Sequence, residues 1–467
     1  MQDQEEFEQV SIEFIENDES FEIKIESHDD LVNLTMSNLQ SDIIIEEEVT
    51  ELPYVDEDVE SHESLISSDA EIINDNVDLN RDENIDKSEE SLFSSDENTD
   101  KSEESLRPSD EQIVNESITN DGFCVDDETN RKHRLHYYNY FHLHHNIDNK
   151  LPLIYSPYYN IKFLYLEKLH YFDSCKYERI VKFLVDDIKI NNNDLITVSN
   201  IPYKSILETV HTNDYLNSLN YSANIARILE LPLVQYIPPF LLRSFILTPF
   251  LYATSGTILA AYIALEKGCA INLGGGFHHA SSNFGHGFCV FADISLSIHA
   301  IRQYTHVKKV MIIDLDAHQG DGHEKEKINN EDEDLYIIDA YHEGIFPNDR
   351  YSEKAIDCPI LLNPRTTDNQ YIILLHSALT TSFESFRPDI IYYNAGTDII
   401  KGDSQGCLNL SEDTVVLRDQ IVFEKAFENK IPIVMTLSGG YQYSNARTIA
   451  NSLINLNNKF DILKVNK

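Results

Sequence analysis

The stretch Val310–His323 reads VMIIDLDAHQGDGH. Its first part, Val310–Leu315, is an almost continuous apolar run, which is typical of a strand buried on both faces of a parallel sheet. Asp314, Asp316 and His318 stand at alternate positions at the end of this run. On a strand, residues with this spacing point to the same face. The stretch therefore predicts a buried strand that ends in a cluster of two carboxylates and an imidazole.

Similar apolar runs recur along the chain and alternate with helical stretches. The runs are Ala270–Leu273, Leu335–Ile338, Ile390–Tyr393 and Ile431–Leu437, and the helical stretches are Ser255–Lys267, Ile294–Tyr304, Tyr371–Phe386, Ser411–Phe427 and Ser444–Leu456. Alternation of this kind predicts parallel strands joined by crossover helices. We therefore expect an α/β fold with an open, mostly parallel sheet flanked by helices.

Polar segments follow these predicted strands directly. They are GGGFHHA (Gly274–Ala280), DAHQGDGH (Asp316–His323), NAGTDIIKGD (Asn394–Asp403) and SGGYQ (Ser438–Gln442). In open α/β sheets, ligands bind at the carboxyl ends of the strands. Four strands are thus expected to deliver reactive side chains to one edge, which predicts an active site there.

One group of these residues is suited to holding a metal ion. We expect Asp316 and His318 to converge on the ion, with Asp398 from a neighbouring strand end as the third ligand. Three protein ligands with an open position are typical of a catalytic zinc site. Two carboxylates and one imidazole are a harder set than zinc usually has, so Fe²⁺ and Co²⁺ are alternative occupants.

A second group is suited to proton transfer. His278 and His279 follow three glycines, and Asp314 and Asp321 are carboxylates placed to orient the two rings. An imidazole held by a carboxylate is a tuned general base. Tyr441 offers a phenol hydroxyl where a substrate carbonyl would develop negative charge. Together with a metal ion, these groups describe hydrolysis of an amide.

Charge divides the chain into regions. The formal net charge is -44, and residues 1–130 contain 43 acidic and 5 basic residues. We interpret 1–130 as a disordered acidic low-complexity arm, 131–150 as a His- and Tyr-rich linker and 151–467 as the catalytic domain. Two apolar clusters in the arm, Phe21–Ile25 and Asp42–Val49, are either docking motifs or incidental residual structure. The histidines of the linker are either metal ligands or part of an aromatic segment that packs on the body.

The composition also excludes several classes of protein. A balance this acidic argues against direct binding of nucleic acid, which needs basic surface. No apolar run approaches the ~20 residues of a membrane-spanning helix, and the first ten residues do not resemble a signal peptide. The six cysteines contain no CxxC pair, which favours reduced thiols and a location in the nucleus, the cytoplasm or both.

The sequence resembles the zinc-dependent histone deacetylase family, and within it the class IV branch. The resemblance runs from about Leu153 to Leu456, and its segments are PLIYSPYYNI (Pro152–Ile161), LEKLHYFD (Leu166–Asp173), INLGGGFHHASS (Ile271–Ser282), IIDLDAHQGDGHE (Ile312–Glu324), YYNAGTDIIKGD (Tyr392–Asp403) and SGGYQ (Ser438–Gln442). NAGTD and DAHQG are the class IV forms. Asp321 departs from that branch, which often has Asn there, so we expect His279 to be more basic.

The resemblance implies a role for each candidate residue. It implies that zinc is bound by Asp316, His318 and Asp398. It also implies that His279, supported by Asp321, is the general base and acid, and that His278 pairs with Asp314. Tyr441 would be the oxyanion donor. Gly287, Phe288 and Phe346 resemble the walls of the tunnel that admits the lysine side chain. A structural K⁺ ion is implied beside the zinc, bound through Asp314, Asp316 and His318, with the Asp339 side chain as an addition.

The function implied is that of a protein-lysine deacylase. It would hydrolyse the acyl-lysine amide of proteins such as histones, and class IV membership favours long-chain fatty acyl groups. A small-molecule amidohydrolase of the acetylpolyamine type is an alternative. An arginase-type ureohydrolase with two Mn²⁺ ions is disfavoured, because Gln319-Gly320 and Ile399-Ile400 occupy positions that need carboxylates. A third possibility is a scaffold whose acidic arm holds basic partners such as histones.

Overall fold

The computed structural model describes residues 11–17, 20–27, 30–35, 149–162, 170–198 and 200–463. Within the acidic arm it describes three antiparallel strands, β1 (Ser11–Asn17), β2 (Ser20–Ser27) and β3 (Asp30–Thr35). The sequence prediction contains no strand here, although Phe21–Ile25 alternates apolar with charged residues, as a strand does. The rest of the arm and residues 131–148 lie outside the described residues, and what was predicted for them stays a prediction.

A seven-stranded parallel sheet organises the body of the protein. Its strand order is β4-β5-β10-β9-β6-β7-β8. The strands are β4 (Leu153–Ile154), β5 (Cys269–Asn272), β6 (Val310–Asp314), β7 (Leu335–His342), β8 (Cys358–Leu362), β9 (Ile390–Asn394) and β10 (Ile433–Thr436). Each of the predicted apolar runs is one of these strands, and the predicted fold class is confirmed.

The two strands missing from the prediction lie at the edges of the sheet. β4 has only two residues, too few to give a sequence signal. β8 contains Pro359, which is tolerated on an edge strand because its missing N–H is not needed for pairing on the open side. β8 is a short apolar run, CPILL, but a proline inside such a run ordinarily argues against a strand, so the run was not predicted as one.

Helices flank the sheet and include every helical stretch predicted from the sequence. They are α1 (Lys176–Ile188), α2 (Lys204–Leu207), α3 (Asn213–Ser218), α4 (Ser222–Ile228), α5 (Pro239–Leu242), α6 (Thr248–Lys267), α7 (Asp293–Tyr304), α8 (Asp321–Asn329), α9 (Asp368–Ser385), α10 (Glu412–Asn429) and α11 (Asn445–Phe460). The helices before α6 and the helix α8 were not predicted.

Helix α6 is the central helix of the body. It contacts β5, β10 and α7, and 14 of its 20 residues are buried. A helix that is apolar on all sides needs such surroundings. Pro239–Lys267, which includes α5 and α6, is long and apolar enough to cross a membrane, but its most apolar window is 83% buried inside the protein. Burial of this kind is that of a core helix.

The strand register aligns polar residues across the C-terminal edge of the sheet. One polar residue from each of five neighbouring strands lies at the same level of the sheet. From β5 to β7 these residues are Asn272, Thr436, Asn394, Asp314 and Asp339. The Asn394 amide donates to both carboxylate oxygens of Asp314 at 3.1 Å and accepts from the Thr436 hydroxyl at 3.0 Å. This buried row of hydrogen bonds fixes the edge from which the candidate site is built.

We predict that His211 makes the fold sensitive to mild acid. It is buried between α2 and α3, and its Nε2 accepts from the backbone N–H of Ala292 at 3.1 Å. Burial lowers its pKa from 6.5 to about 4. Between pH 6.5 and 4 the unfolded chain therefore binds a proton that the folded chain does not, and the free energy of unfolding falls by up to about 3 kcal/mol.

Urea unfolding of wild type and His211→Gln at pH 7 and pH 4.5 checks this. The variant should lose less stability than wild type on acidification, because its residue 211 cannot titrate. His306→Gln, at an exposed histidine, is the matched control and should behave as wild type. Equal losses for wild type and His211→Gln would contradict the prediction.

Candidate active site

The structure brings Asp316, His318 and Asp398 together at the C-terminal edge of the sheet. Asp316 and His318 lie in the loop after β6, and Asp398 lies in the loop after β9; all three are buried. His318 Nδ1 is 3.0 Å from Asp316 Oδ1 and 2.8 Å from Asp398 Oδ2. One donor atom from each residue lies within 4.8 Å of the other two. The group is therefore compact enough to surround a single ion.

Backbone N–H groups fix the other oxygen of each carboxylate. Gly439 N–H donates to Asp316 Oδ2 and Ala317 N–H donates to Asp398 Oδ1, both at 2.8 Å. Gly439 has to be glycine, because a Cβ there would lie 2.5 Å from Asp316 Oδ2 and 2.8 Å from Asp398 Oδ2. The remaining oxygens, Asp316 Oδ1 and Asp398 Oδ2, face His318.

The electrostatics of this group favour a cation. Burial and the nearby charge of Asp316 raise the pKa of Asp398 to about 7. Burial opposes protonation of His318, but hydrogen bonds with the two carboxylates raise its pKa to about 10. Two buried carboxylates thus draw positive charge to the point where they meet. Two carboxylate oxygens and an imidazole nitrogen with open positions left over fit a divalent metal ion.

Two histidine–carboxylate pairs lie next to this group. His278 and His279 lie in the loop after β5; His278 Nδ1 is 2.9 Å from Asp314 Oδ2, and His279 Nδ1 is 2.7 Å from Asp321 Oδ1. The loop turns through Gly275, whose φ of 72° is in the left-handed region that favours glycine. Both pairs expected from the sequence are therefore present in the structure.

The two histidines have different protonation states. Burial opposes protonation of His278, but the charges of Asp314 and Asp316 raise its pKa to about 9. Burial and the neighbouring charge of His278 lower the pKa of His279 to about 3, although Asp321 acts in the opposite direction. Asp321 thus makes His279 more basic, as expected, but burial dominates. At neutral pH His278 is charged, while His279 is neutral and has a ring nitrogen free to accept a proton.

Asp321 has further partners that the sequence reasoning missed. His286 Nε2 is 2.9 Å from Asp321 Oδ2, and the Lys325 ammonium pairs with the same oxygen and lies 2.9 Å from Asp349. The i, i+4 spacing of Asp321 and Lys325 on a helix was the available sequence signal. Hydrogen bonds with His279 and His286 keep the pKa of Asp321 low against the effect of burial.

Tyr441 lies beside the metal-ligand candidates. Its ring packs edge-on against His318 with centroids 6.0 Å apart, and its backbone N–H donates to Asp403 at 2.9 Å. The preceding Gly440 has a φ of 128°, which lets the chain turn the tyrosine inward. Burial and the charge of Asp398 raise the pKa of the phenol well above its usual value, so it stays a hydrogen-bond donor.

Two of the predicted tunnel residues, Gly287 and Phe346, lie next to His279. The Phe346 ring packs edge-on against His279 at 5.1 Å and is 43% exposed, so it lies at the surface end of the site. A Cβ on Gly287 would lie 2.6 Å from His279 Cδ2 and 2.9 Å from Phe346 Cε1. Phe288 packs on Phe172, with centroids 4.7 Å apart. Glycine at 287 therefore keeps open the narrow space between the general-base candidate and the aromatic wall.

Asp339 belongs to a second buried cluster, with Asp314 and His323. One Asp339 oxygen accepts from Gly320 N–H at 2.8 Å. The Asp339 side chain also pairs with Glu324, whereas the two ring nitrogens of His323 make no hydrogen bond with the described residues. Burial and the charges of Asp314 and Glu324 raise the pKa of Asp339 well above its usual value.

Fold and site together define a class of protein. Three features meet at one edge of the parallel sheet: a buried Asp–His–Asp group, a neutral histidine paired with a carboxylate, and the phenol of a tyrosine. Together they form the active site of a metal-dependent amidohydrolase. Residues 170–456 match the family model described as the histone deacetylase domain. The chain therefore belongs to the histone deacetylase family.

Individual relatives agree with this assignment. The chain is 45% identical over 308 residues to histone deacetylase 2 of Arabidopsis thaliana, covering 66% of this chain and 79% of that protein. It is 29% identical over 209 residues to histone deacetylase 1 of Homo sapiens, covering 42% and 41%. The fold is similar to that of a histone deacetylase homologue from Aquifex aeolicus, with TM-score 0.51, 24% identity and coverage of 68% and 86%.

We predict that Asp398→Asn weakens the binding of a divalent metal ion to this group, with Zn²⁺ as the probe. The substitution removes one of the three groups that would bind the ion directly. Loss of a residue that only orients a metal ligand raises the dissociation constant ~10–100-fold, so the rise here should be at least that large. Competition with a chromogenic chelator measures this constant. Asp389→Asn, at an exposed carboxylate, is the control and should bind zinc as wild type does. Wild-type affinity in Asp398→Asn would exclude this group as the metal site.

Proposed function

We propose that this protein is a zinc-dependent protein-lysine deacylase of the class IV type, which hydrolyses the acyl-lysine amide of proteins such as histones. The observation that carries the proposal is His279, held by Asp321 at 2.7 Å, beside the buried group of Asp316, His318 and Asp398. The class IV forms NAGTD and DAHQG support the branch. A location in the nucleus, the cytoplasm or both is part of the proposal.

Each residue of the site has its own role in the proposed reaction. Zinc, when held by Asp316, His318 and Asp398, supplies Lewis-acid polarisation of the acyl carbonyl and of the attacking water. Asp321 holds the proton of His279 on Nδ1, so Nε2 accepts the proton of the water and passes it to the departing lysine amine. Tyr441 donates a hydrogen bond to the carbonyl oxygen as negative charge develops there.

Gln319 and Ile399 support the deacylase over an arginase-type ureohydrolase. The second metal of a ureohydrolase would need carboxylates near these positions. The Gln319 amide instead donates to Glu324 at 2.6 Å and to the Asp349 carbonyl at 3.0 Å, away from the metal-ligand candidates. Ile399 is fully buried in the apolar core. These contacts favour a single divalent ion.

The proposal includes the identity of the ions. Zinc is the proposed catalytic metal, with Fe²⁺ and Co²⁺ as alternative occupants of the same donor set. K⁺ is the proposed structural ion, held by carbonyl groups of Asp314, Asp316 and His318. The buried group of Asp314, His323 and Asp339, whose donor atoms lie within 4.8 Å of one another, supports a cation there.

We predict that Tyr441→Phe and His279→Ala lose activity but retain zinc. Loss of an oxyanion donor lowers kcat by ~10²–10³-fold, and loss of a general base by ~10²–10⁴-fold. Turnover of an acyl-lysine peptide and zinc content of the purified protein are the measurements. Tyr443→Phe is the matched control for the tyrosine, since that ring is 76% exposed two residues further on. Full turnover by both site variants would refute the assigned roles.

The acyl specificity that we propose is for long-chain fatty acyl groups. Support comes from the class IV forms NAGTD and DAHQG. In this proposal the chain enters an apolar pocket beside the tunnel wall, lined in part by Phe172, Phe250, Phe277 and Phe288. The pocket has room for about one water molecule, so a long chain enters only if these rings rotate. Ala253 on α6 also lines the pocket, and a larger side chain there would fill it.

We therefore predict that Ala253→Leu lowers kcat/KM for a myristoyl-lysine peptide by at least about tenfold, since hydrophobic pockets discriminate by this much per methylene or more. The acetyl-lysine version of the same peptide is the internal control, and its kcat/KM should stay near that of wild type. In wild type the myristoyl peptide should be the better substrate. A preference of wild type for the acetyl peptide would contradict the proposed specificity.

A further inference from the structure

Arg418 lies behind the metal-ligand loops and is fully buried. It is on α10, and one nitrogen of its guanidinium, Nη1, donates to the carbonyl of Leu315 at 3.1 Å and to the carbonyl of Gly396 at 2.6 Å. Leu315 immediately precedes Asp316, and Gly396 is two residues before Asp398. A single side chain therefore ties together the backbones that carry the two carboxylate ligands.

The opposite side of the guanidinium is fixed as well. Arg418 Nε donates to Asp419 Oδ1 at 2.9 Å, and the Tyr393 hydroxyl of β9 donates to the same oxygen. The Ser452 hydroxyl of α11 donates to Asp419 Oδ2 at 2.5 Å. Arg418 is thus held by groups on β9, α10 and α11, and its direction toward the two carbonyls is determined by the folded core.

The chemistry of this position suits arginine in particular. A guanidinium presents several donors in a rigid plane, so it spans two carbonyls and a carboxylate at once, which a lysine ammonium on a flexible stem does less well. Asp419 balances the charge, so the pair places no net charge behind a site that has to accept a cation. Direct backbone bonds between the two loops are few, and Leu315 N–H to the Asn394 carbonyl at 3.0 Å is one of them.

We propose that Arg418 is a positioning residue that sets the separation of Asp316 and Asp398, and thereby the affinity of the site for its divalent ion. This rests on the proposed metal-dependent function. A purely structural role for the Arg418–Asp419 pair would change the stability of the fold but leave the zinc affinity of the folded protein unchanged. Zinc affinity therefore separates the two roles.

The test compares variants of the full chain by chelator competition for zinc, with circular dichroism to confirm that each sample is folded. Arg418→Lys keeps the charge but loses the planar fork. The double variant Arg418→Met with Asp419→Leu removes both charges at similar volume, so no unpaired buried charge remains. In both, the zinc dissociation constant should rise by roughly 10–100-fold, the range for residues that orient metal ligands.

Ser452→Ala is the matched control. It removes one hydrogen bond to Asp419 but leaves the contacts of Arg418 with the Leu315 and Gly396 carbonyls, so its zinc affinity should equal that of wild type even if it unfolds more easily. Zinc affinity equal to wild type in either folded Arg418 variant would overturn the inference. Failure of wild type itself to bind one zinc ion would instead refute the proposed function, so the two failures are distinguishable.

Discussion

The meeting of two buried carboxylates at one imidazole nitrogen is the constraint on which the rest of the active site depends. Asp316 and Asp398 each approach His318 Nδ1 within 3.0 Å, and all three side chains are buried. Negative charge concentrated in this way is costly in a low-dielectric interior unless a cation balances it. The surrounding glycines, backbone N–H groups and buried guanidinium all serve to hold the carboxylates in place despite this cost.

The parallel sheet makes this concentration of charge possible. Its register puts Asp314, Asn394 and Thr436 side by side, so the first polar residue of each strand is paired before the loops begin. The loops after β5, β6, β9 and β10 then start from fixed points. His278 and His279 arrive from one loop and Tyr441 from another. Burial lowers the pKa of both histidines, but the charges of Asp314 and Asp316 raise that of His278 above its usual value, so the two pKa values move apart.

The sequence predicted the parts of this arrangement that depend on local pattern. Apolar runs identified the interior strands, and the polar residues after them identified Asp316, His318, Asp398 and Tyr441 as neighbours. The effect of burial on the pKa of a side chain could not be predicted from the sequence in the same way. Asp321 was expected to make His279 more basic, but the desolvation of the ring outweighs that carboxylate in the folded protein. Arg418 was missed because an Arg-Asp pair in a helix ordinarily indicates a solvated surface.

Helix α6 has a consequence for how the chain reaches its folded state. Its apolar surface is covered by β5, which follows at once, and by β10, which comes much later in the chain. During synthesis the helix therefore remains partly uncovered until most of the catalytic domain has emerged from the ribosome. Exposed apolar segments of this length favour aggregation and association with chaperones. The same helix that anchors the finished core is thus the segment most in need of protection while the protein is being made.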